Sequence, residues 1–246
     1  MTSSHEYDQS RAVIWICGAA FVIAGLCLVP LGHVLLVRIK LSNLRPDDVQ
    51  RIQRAASYLT SRDVPVRRLA GRELAQVASK SSYAESALLG ALRDKSYEVV
   101  RDAAHALSQI KSPSKVVLEG LTAALDHKDG EVRRYAAYAL SQYGGRGRLA
   151  IPQLTKRLGD EHMAYMAARA LGGMGSDARG AIGPMTALLS SSSLGDRAEA
   201  ALALSKLTPL PKATVAAIEA LANDQEEVVR ESAKKALQNI RTSSAR

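Results

Sequence analysis

The chain has 246 residues, enough for about one or two ordinary domains. Its net charge is +9, so acidic partners enter consideration, and aromatics make up only 4% of it, fewer than an enzyme with one large globular core usually carries. Both cysteines, Cys17 and Cys27, lie in one apolar N-terminal stretch, which excludes a disulfide framework or a thiolate metal site from the rest.

Residues 1–11 are polar and read as a disordered tail. Residues 12–37 contain no Asp, Glu, Lys or Arg. As a helix, this stretch would span about 39 Å, more than the ~30 Å hydrocarbon core requires, and it reads as a single transmembrane helix. A cleaved signal peptide fits less well. The start carries Glu6 and Asp8, the apolar run is too long, and no small-x-small cleavage site follows. Only Arg11 precedes the stretch, whereas Arg38, Lys40, Arg45, Arg51 and Arg54 follow it. The positive-inside rule then places the N-terminus outside and the remainder in the cytoplasm, on a single-pass inner-membrane protein. Residues 38–45 form a juxtamembrane linker, and Pro46 suits the first turn of a new helix.

From residue 46 to 240 one pattern recurs. Its clearest copy is 129–143. Asp129 is placed as an N-cap; Val132, Ala136, Ala139, Leu140 and Tyr143 share one helical face; and Gly144 and Gly145 follow, where a helix needs a left-handed stop. Aligned on Leu140, the copies fall at Leu74, Leu107, Leu140, Leu171, Leu204 and Leu237, with spacings of 33, 33, 31, 33 and 33. An alanine stands four residues before each leucine and an apolar residue three after it. A first helix precedes each, with apolar pairs at Ala55/Leu59, Leu88/Leu92, Leu121/Leu125, Leu154/Leu158, Met185/Leu189 and Ile218/Ala222. In the fourth copy the two missing residues fall in the turn near 159–161, where deletions are tolerated. Such a period predicts an all-α solenoid of about six helix pairs, over 46–79, 82–111, 113–144, 147–175, 178–208 and 212–240. Lys234 replaces the small residue of the other copies, as an end cap should. Residues 241–246 read as a loose tail.

Asp129, Val132, Arg133, Ala136, Ala137, Ala139 and Leu140, followed by a glycine turn, resemble the HEAT repeat. The short period, and the openings at 150–154 and 181–185, are similar to the bacterial HEAT-like group that includes the phycobilisome lyase repeats. The resemblance implies a right-handed superhelix whose second helices line a concave binding surface. In HEAT repeats an arginine seven residues before the ladder leucine usually bonds an acidic group of its own or the next repeat.

Two sets of side chains follow from the register. Arg67, Arg133, Arg197 and Arg230 stand seven residues before the leucine, with Val100 and Ala164 as exceptions, and Asp63, Asp129 and Glu226 lie four residues before three of them, within helical reach. These read as a structural ladder. The positions six and two before the leucine point away from the core. In four copies they are Arg68/Arg72, Arg101/His105, Arg134/Tyr138 and Tyr165/Arg169, a basic stripe with His and Tyr interleaved. Arg and Tyr are favoured at contact hot spots, so these eight residues are the candidate partner-binding surface.

No enzymatic constellation stands out, and no cofactor, metal or small-molecule substrate is expected. Gly173-x-Gly175-x-x-Ala178 mimics a dinucleotide loop but follows a helical pattern, so its glycines read as a helix stop. His5, His33, His105, His127 and His162 lack ligand spacing. The leading expectation is a membrane-anchored scaffold binding a protein on its concave face. The alternatives are a nucleic-acid binder using the basic stripe and an accessory subunit in lyase-type chromophore attachment.

Overall fold

The computed structural model describes residues 49–244, together with Val34, Leu36 and Val37. The expected membrane span at 12–37 therefore lies outside the described residues except at those three positions, as do the N-terminal tail, the linker with Pro46 and the last two residues. Val37 is only 2% exposed and belongs to the apolar core that runs through the repeats, with Val34 packed against it. Among the described residues no helix is long and apolar enough to cross a membrane.

Among the described residues there are twelve α-helices and no strand. They form six antiparallel pairs: α1 (Val49–Tyr58) with α2 (Val64–Val77), α3 (Ser82–Ala91) with α4 (Tyr97–Ser108), α5 (Lys115–Ala124) with α6 (Gly130–Tyr143), α7 (Ile151–Lys156) with α8 (Ala164–Met174), α9 (Ile182–Ala187) with α10 (Leu194–Leu204), and α11 (Lys212–Ala220) with α12 (Glu227–Ser244). The helix starts follow local chemistry. The side chains of Ser81, Ser114, Asp129 and Ser193 each accept a hydrogen bond from a first-turn amide, satisfying a donor that has no partner within the helix. Gly144 closes α6 at φ 54°, and Gly175 closes α8 at φ 63°, backbone that only glycine adopts without strain. Each is followed by a 3₁₀ segment leading into the next repeat.

The ladder leucines Leu74, Leu107, Leu140, Leu171 and Leu204 are fully buried, as are Ala70, Ala136, Ala167, Ala200 and Ala233. The alanines let successive second helices approach closely. The closest approach is at Gly172, where a Cβ would lie 2.7 Å from the Ala203 Cα. In the fourth pair the deletion falls in the segment 157–163, and α8 begins only at Ala164, so the loss is absorbed by a turn and the first turn of the helix. Leu237 is half-buried, and Lys234 is exposed and paired with Glu231 at 2.8 Å, because no further repeat covers that end.

The second helices α2, α4, α6, α8, α10 and α12 pack directly on one another in an unbroken row. The first helices stand farther apart, with open clefts between α1 and α3, α3 and α5, and α7 and α9. Tight packing on one side and gaps on the other put the row of second helices on the inside of the curve.

Candidate functional site

The ladder arginines lie on one edge of this row and bind across repeats. Arg67 Nε donates to the Asp94 carboxylate at 2.7 Å, Arg133 Nε to Asp160 at 2.7 Å and Arg197 Nε to Asp224 at 2.8 Å. Each also donates to two carbonyls of its own turn: Ser61 and Arg62, His127 and Lys128, Ser191 and Ser192. Arg230 donates to the Asp224 and Gln225 carbonyls. The hydrogen-bonded carboxylates thus sit in the following repeat, one of the two placements the HEAT resemblance implies; of the acids at helical spacing, Asp63 adds its charge to the surroundings of Arg67. Asp129 instead caps α6 by accepting from the Glu131 amide at 2.8 Å. The Asp63 and Glu226 main-chain carbonyls accept from the Arg67 and Arg230 amides. The reason is reach: a guanidinium that spans its own turn is directed outward along the stack, not back along its own helix.

These pairs perturb the carboxylates. Burial pushes the Asp94 carboxyl up, but the Arg67 guanidinium and the Ser96 amide outweigh it and hold it below the usual carboxylate range. Asp160 behaves the same way with Arg133 and the His162 amide. The Arg197 hydrogen bond lowers Asp224.

The stripe residues occupy the inner surface as placed by the register, but most of their charge is engaged. Asp102, whose side chain is 12% exposed, receives Arg68 Nε at 2.9 Å and lies 3.4 Å from Arg72 and 3.3 Å from Arg101. Arg134 pairs with Glu131, which with a hydrogen bond to Tyr165 raises the guanidinium pKa further, and it stacks 4.5 Å from the Tyr135 ring centroid. Arg169 donates to Glu199 of the next repeat at 2.6 Å. Five arginines therefore share three carboxylates. The surplus is greatest around Asp102, where three guanidiniums face one carboxylate. There Arg72, Ala75, Asp102, His105 and Ala106 line a shallow cleft of about 160 Å³ between α2 and α4. Tyr138 and Tyr165 are half-buried, while Arg72, Arg101, His105 and Arg169 are exposed.

Asp102 and Glu199 were not singled out from sequence. Both stand five residues before a ladder leucine, next to the stripe position, and a search for acids facing the stripe at that offset finds them. Gly173 lies within α8 and Gly175 ends it, so the dinucleotide-like run is a helix terminus. Among the described residues no group of three His, Cys, Asp or Glu side chains is arranged to hold a metal ion.

A family model described as HEAT repeats matches residues 52–141 and 151–238. The chain belongs to the HEAT-repeat family. Among solved structures, this HEAT-repeat chain is similar to the complex of CpcE and CpcF of phycocyanin lyase from Nostoc, with 27% identity over 80% of this chain and 77% of that one and a TM-score of 0.57. An engineered protein matches with 26% identity over 78% of this chain and 96% of its own, at a TM-score of 0.54. A designed armadillo repeat protein in complex with the peptide (KR)4 shares the fold, at 22% identity over 77% of this chain and 99% of its own, with a TM-score of 0.56. No curated protein matches the chain.

Proposed function

We propose that this HEAT-repeat chain is a non-catalytic scaffold that holds a protein partner along its inner row, tethered to the membrane through the uncharged stretch upstream of Val34, since Val34 and Val37 pack on the repeats, with the repeats on the cytoplasmic side. The observation that carries it is the inner surface itself: a continuous row of second helices presenting Arg72, Arg101, His105, Tyr138 and Arg169, with three guanidiniums held around Asp102. Arginines preset by ion pairs at a helix surface lose little further freedom on binding, which favours them as anchors. The local surplus of positive charge suits a partner segment bearing carboxylates. A nucleic acid fits less well, because the surplus is confined to the surroundings of Asp102, while Arg134 and Arg169 are each matched by one carboxylate and leave no continuous track of cations for a phosphate backbone.

The test is a pull-down from detergent-solubilised membranes with the full chain, wild type against an Arg72→Glu, Arg101→Glu, Arg169→Glu variant. A partner retained by the wild type and lost from the variant is expected. Equal recovery by both would remove the inner row from the reading. A second reading draws on the likeness to the phycocyanin lyase complex, an accessory role in chromophore attachment. It requires the purified chain, or the complex it captures, to absorb in the visible range.

A further inference from the structure

Charge divides unequally between the two edges of the solenoid. In an antiparallel helix pair, every turn between repeats lies on one edge and every turn within a repeat on the other. The turns between repeats are 78–81, 109–114, 144–150, 175–181 and 205–211. They hold six cations, Lys80, Lys111, Arg146, Arg148, Arg179 and Lys206, against one anion, Asp177. The turns within repeats, 59–63, 92–96, 125–129, 157–163, 188–193 and 221–226, hold five cations and eight anions.

All six cations of the first edge are exposed. Arg179 donates to the Pro209 carbonyl at 3.0 Å. The side chains of the other five have no hydrogen bond or ion pair among the described residues, unlike the arginines of the inner row. From 144 to 211 the edge is also continuous: segments 144–150 and 175–181 pack on each other, and the Arg179 bond links the latter to 205–211.

The start of α1 lies on this same edge. Every first helix starts where the preceding second helix ends, and α1 starts there too. Immediately upstream in sequence stand Arg38, Lys40 and Arg45, and before them the uncharged stretch 12–37.

We propose that this edge docks on an anionic phospholipid surface, so that the solenoid stands edge-on to the bilayer with its inner row open sideways to the partner. The proposal rests on the membrane tether placed under the proposed function. A basic side chain near an anionic bilayer gains about fivefold in surface partitioning, and six on one edge act together. Screening removes the attraction beyond a Debye length, so the docked state is salt-sensitive. A bilayer suits the edge better than a nucleic acid does because the cations follow one rim rather than a groove, with no aromatic side chain in these turns to stack on a base.

The experiment places the full chain in lipid nanodiscs, with Cys17 and Cys27 changed to Ser and a single donor dye on Ser112→Cys of this edge or on Ser192→Cys of the opposite one. The acceptor is a headgroup-labelled lipid. With about 30% phosphatidylglycerol, a fraction sufficient for a strongly negative surface, energy transfer from position 112 should rise at least twofold above that from position 192. It should fall to the same level in neutral discs, in about 0.5 M salt, and in a Lys80→Glu, Lys111→Glu, Arg146→Glu, Arg148→Glu variant. The variant should keep its melting temperature and its capture of the protein partner, since these side chains touch neither the core nor the inner row. Transfer from position 112 that ignores lipid charge, or survives the four reversals, would overturn the proposal. So would duplex DNA binding lost with the same reversals while lipid charge has no effect. If the chain fails to enter discs at all, the tether reading fails, and co-flotation with anionic vesicles decides the edge. Flotation abolished by the reversals upholds it, and no flotation of the wild type overturns it.

Discussion

Replacing Arg133 by alanine should destabilise the solenoid far more than replacing Arg101, although the two stand one residue apart in register. Arg133 is 13% exposed at its side chain and makes three bonds, to Asp160 at 2.7 Å and to the His127 and Lys128 carbonyls at 2.9 and 3.0 Å. Hydrogen bonds from a charged donor contribute about 1.5–3 kcal/mol each. Water can replace part of that at a turn, but Asp160, 11% exposed, is left with a carboxylate that has lost its closest cation. The remaining Arg157 is 4.0 Å away and engaged with Asp126. A net loss of about 2–4 kcal/mol follows, below the figure for a fully buried pair. Arg101 is 45% exposed and touches Asp102 only at 3.3–3.4 Å, so its removal should cost under about 1 kcal/mol. Arg133→Lys should fall between, since an ammonium cannot span three acceptors in the fixed fork that the guanidinium offers. Urea unfolding of the full chain followed by circular dichroism is the assay. Because the bond joins the third repeat to the fourth, Arg133→Ala should also broaden or split the transition. Equal midpoints for Arg133→Ala and Arg101→Ala would refute the assignment of Arg133 to the junction.

Leu140→Ala, which empties a fully buried site, should cost about 2–5 kcal/mol, and Tyr138→Ala on the half-buried inner surface less than half as much, measured by the same unfolding. Gly172→Ala should lower stability by about 1–3 kcal/mol, because its new methyl group meets the Ala203 backbone, which cannot rotate away. Stability should fall as pH drops below about 4: Asp94 and Asp160 are held below their unfolded pKa, so their contribution is present above the unfolded value and lost as pH falls through the folded one. A melting-temperature series from pH 6 to about 3 should show this slope, and Asp160→Asn should flatten it. For partner binding, Arg101→Ala, Arg134→Ala and Tyr138→Ala should weaken affinity unequally, as a few anchors dominate a protein interface. An even loss across the arginines with a salt slope of about −0.7 to −0.9 per phosphate would indicate a nucleic acid instead.

The helical pairs, their register and the buried leucine ladder were legible because they rest on one-dimensional periodicity: the side chain at Leu140 is buried for the same reason as those at Leu107 and Leu171. The outward direction of Arg68, Arg101, Arg134 and Arg169 follows from the same geometry. What the charges of Arg68 and Arg169 meet was not legible, because Asp102 and Glu199 lie on neighbouring second helices, and the distance between helices is set by alanine and glycine packing that periodicity does not report. The choice of Asp94, Asp160 and Asp224 over Asp63, Asp129 and Glu226 has the same origin. Helical spacing identifies acids four residues away on one helix, but the guanidinium selects the acid its turn directs it towards, 27 residues on.

The exceptions in the arginine ladder show that the repeating unit of interaction is twice the repeating unit of fold. Arg67, Arg133 and Arg197 belong to the first, third and fifth repeats, and their carboxylates to the second, fourth and sixth. The second and fourth repeats have Val100 and Ala164 where the arginine would stand, each 2% exposed, so their junctions to the following repeat are apolar at that point. Those junctions are joined by other means: the Tyr143 hydroxyl donates to the Leu107 carbonyl, Ser114 to the buried Glu85, and Arg169 to Glu199. Arg67, Arg133 and Arg197 thus lock repeats together in twos, while the apolar junctions between the locked pairs depend on shape and on a few single bonds. A nearest-neighbour chain with alternating strong and weaker couplings opens at the weaker ones. The junction of α4 with α6 is therefore where the curvature of the solenoid adjusts most readily to a partner, the α8–α10 junction being held by the close approach of Gly172 to Ala203. Arg101 and Tyr138 lie on either side of this junction, which places two of the contact residues where the surface is best able to conform.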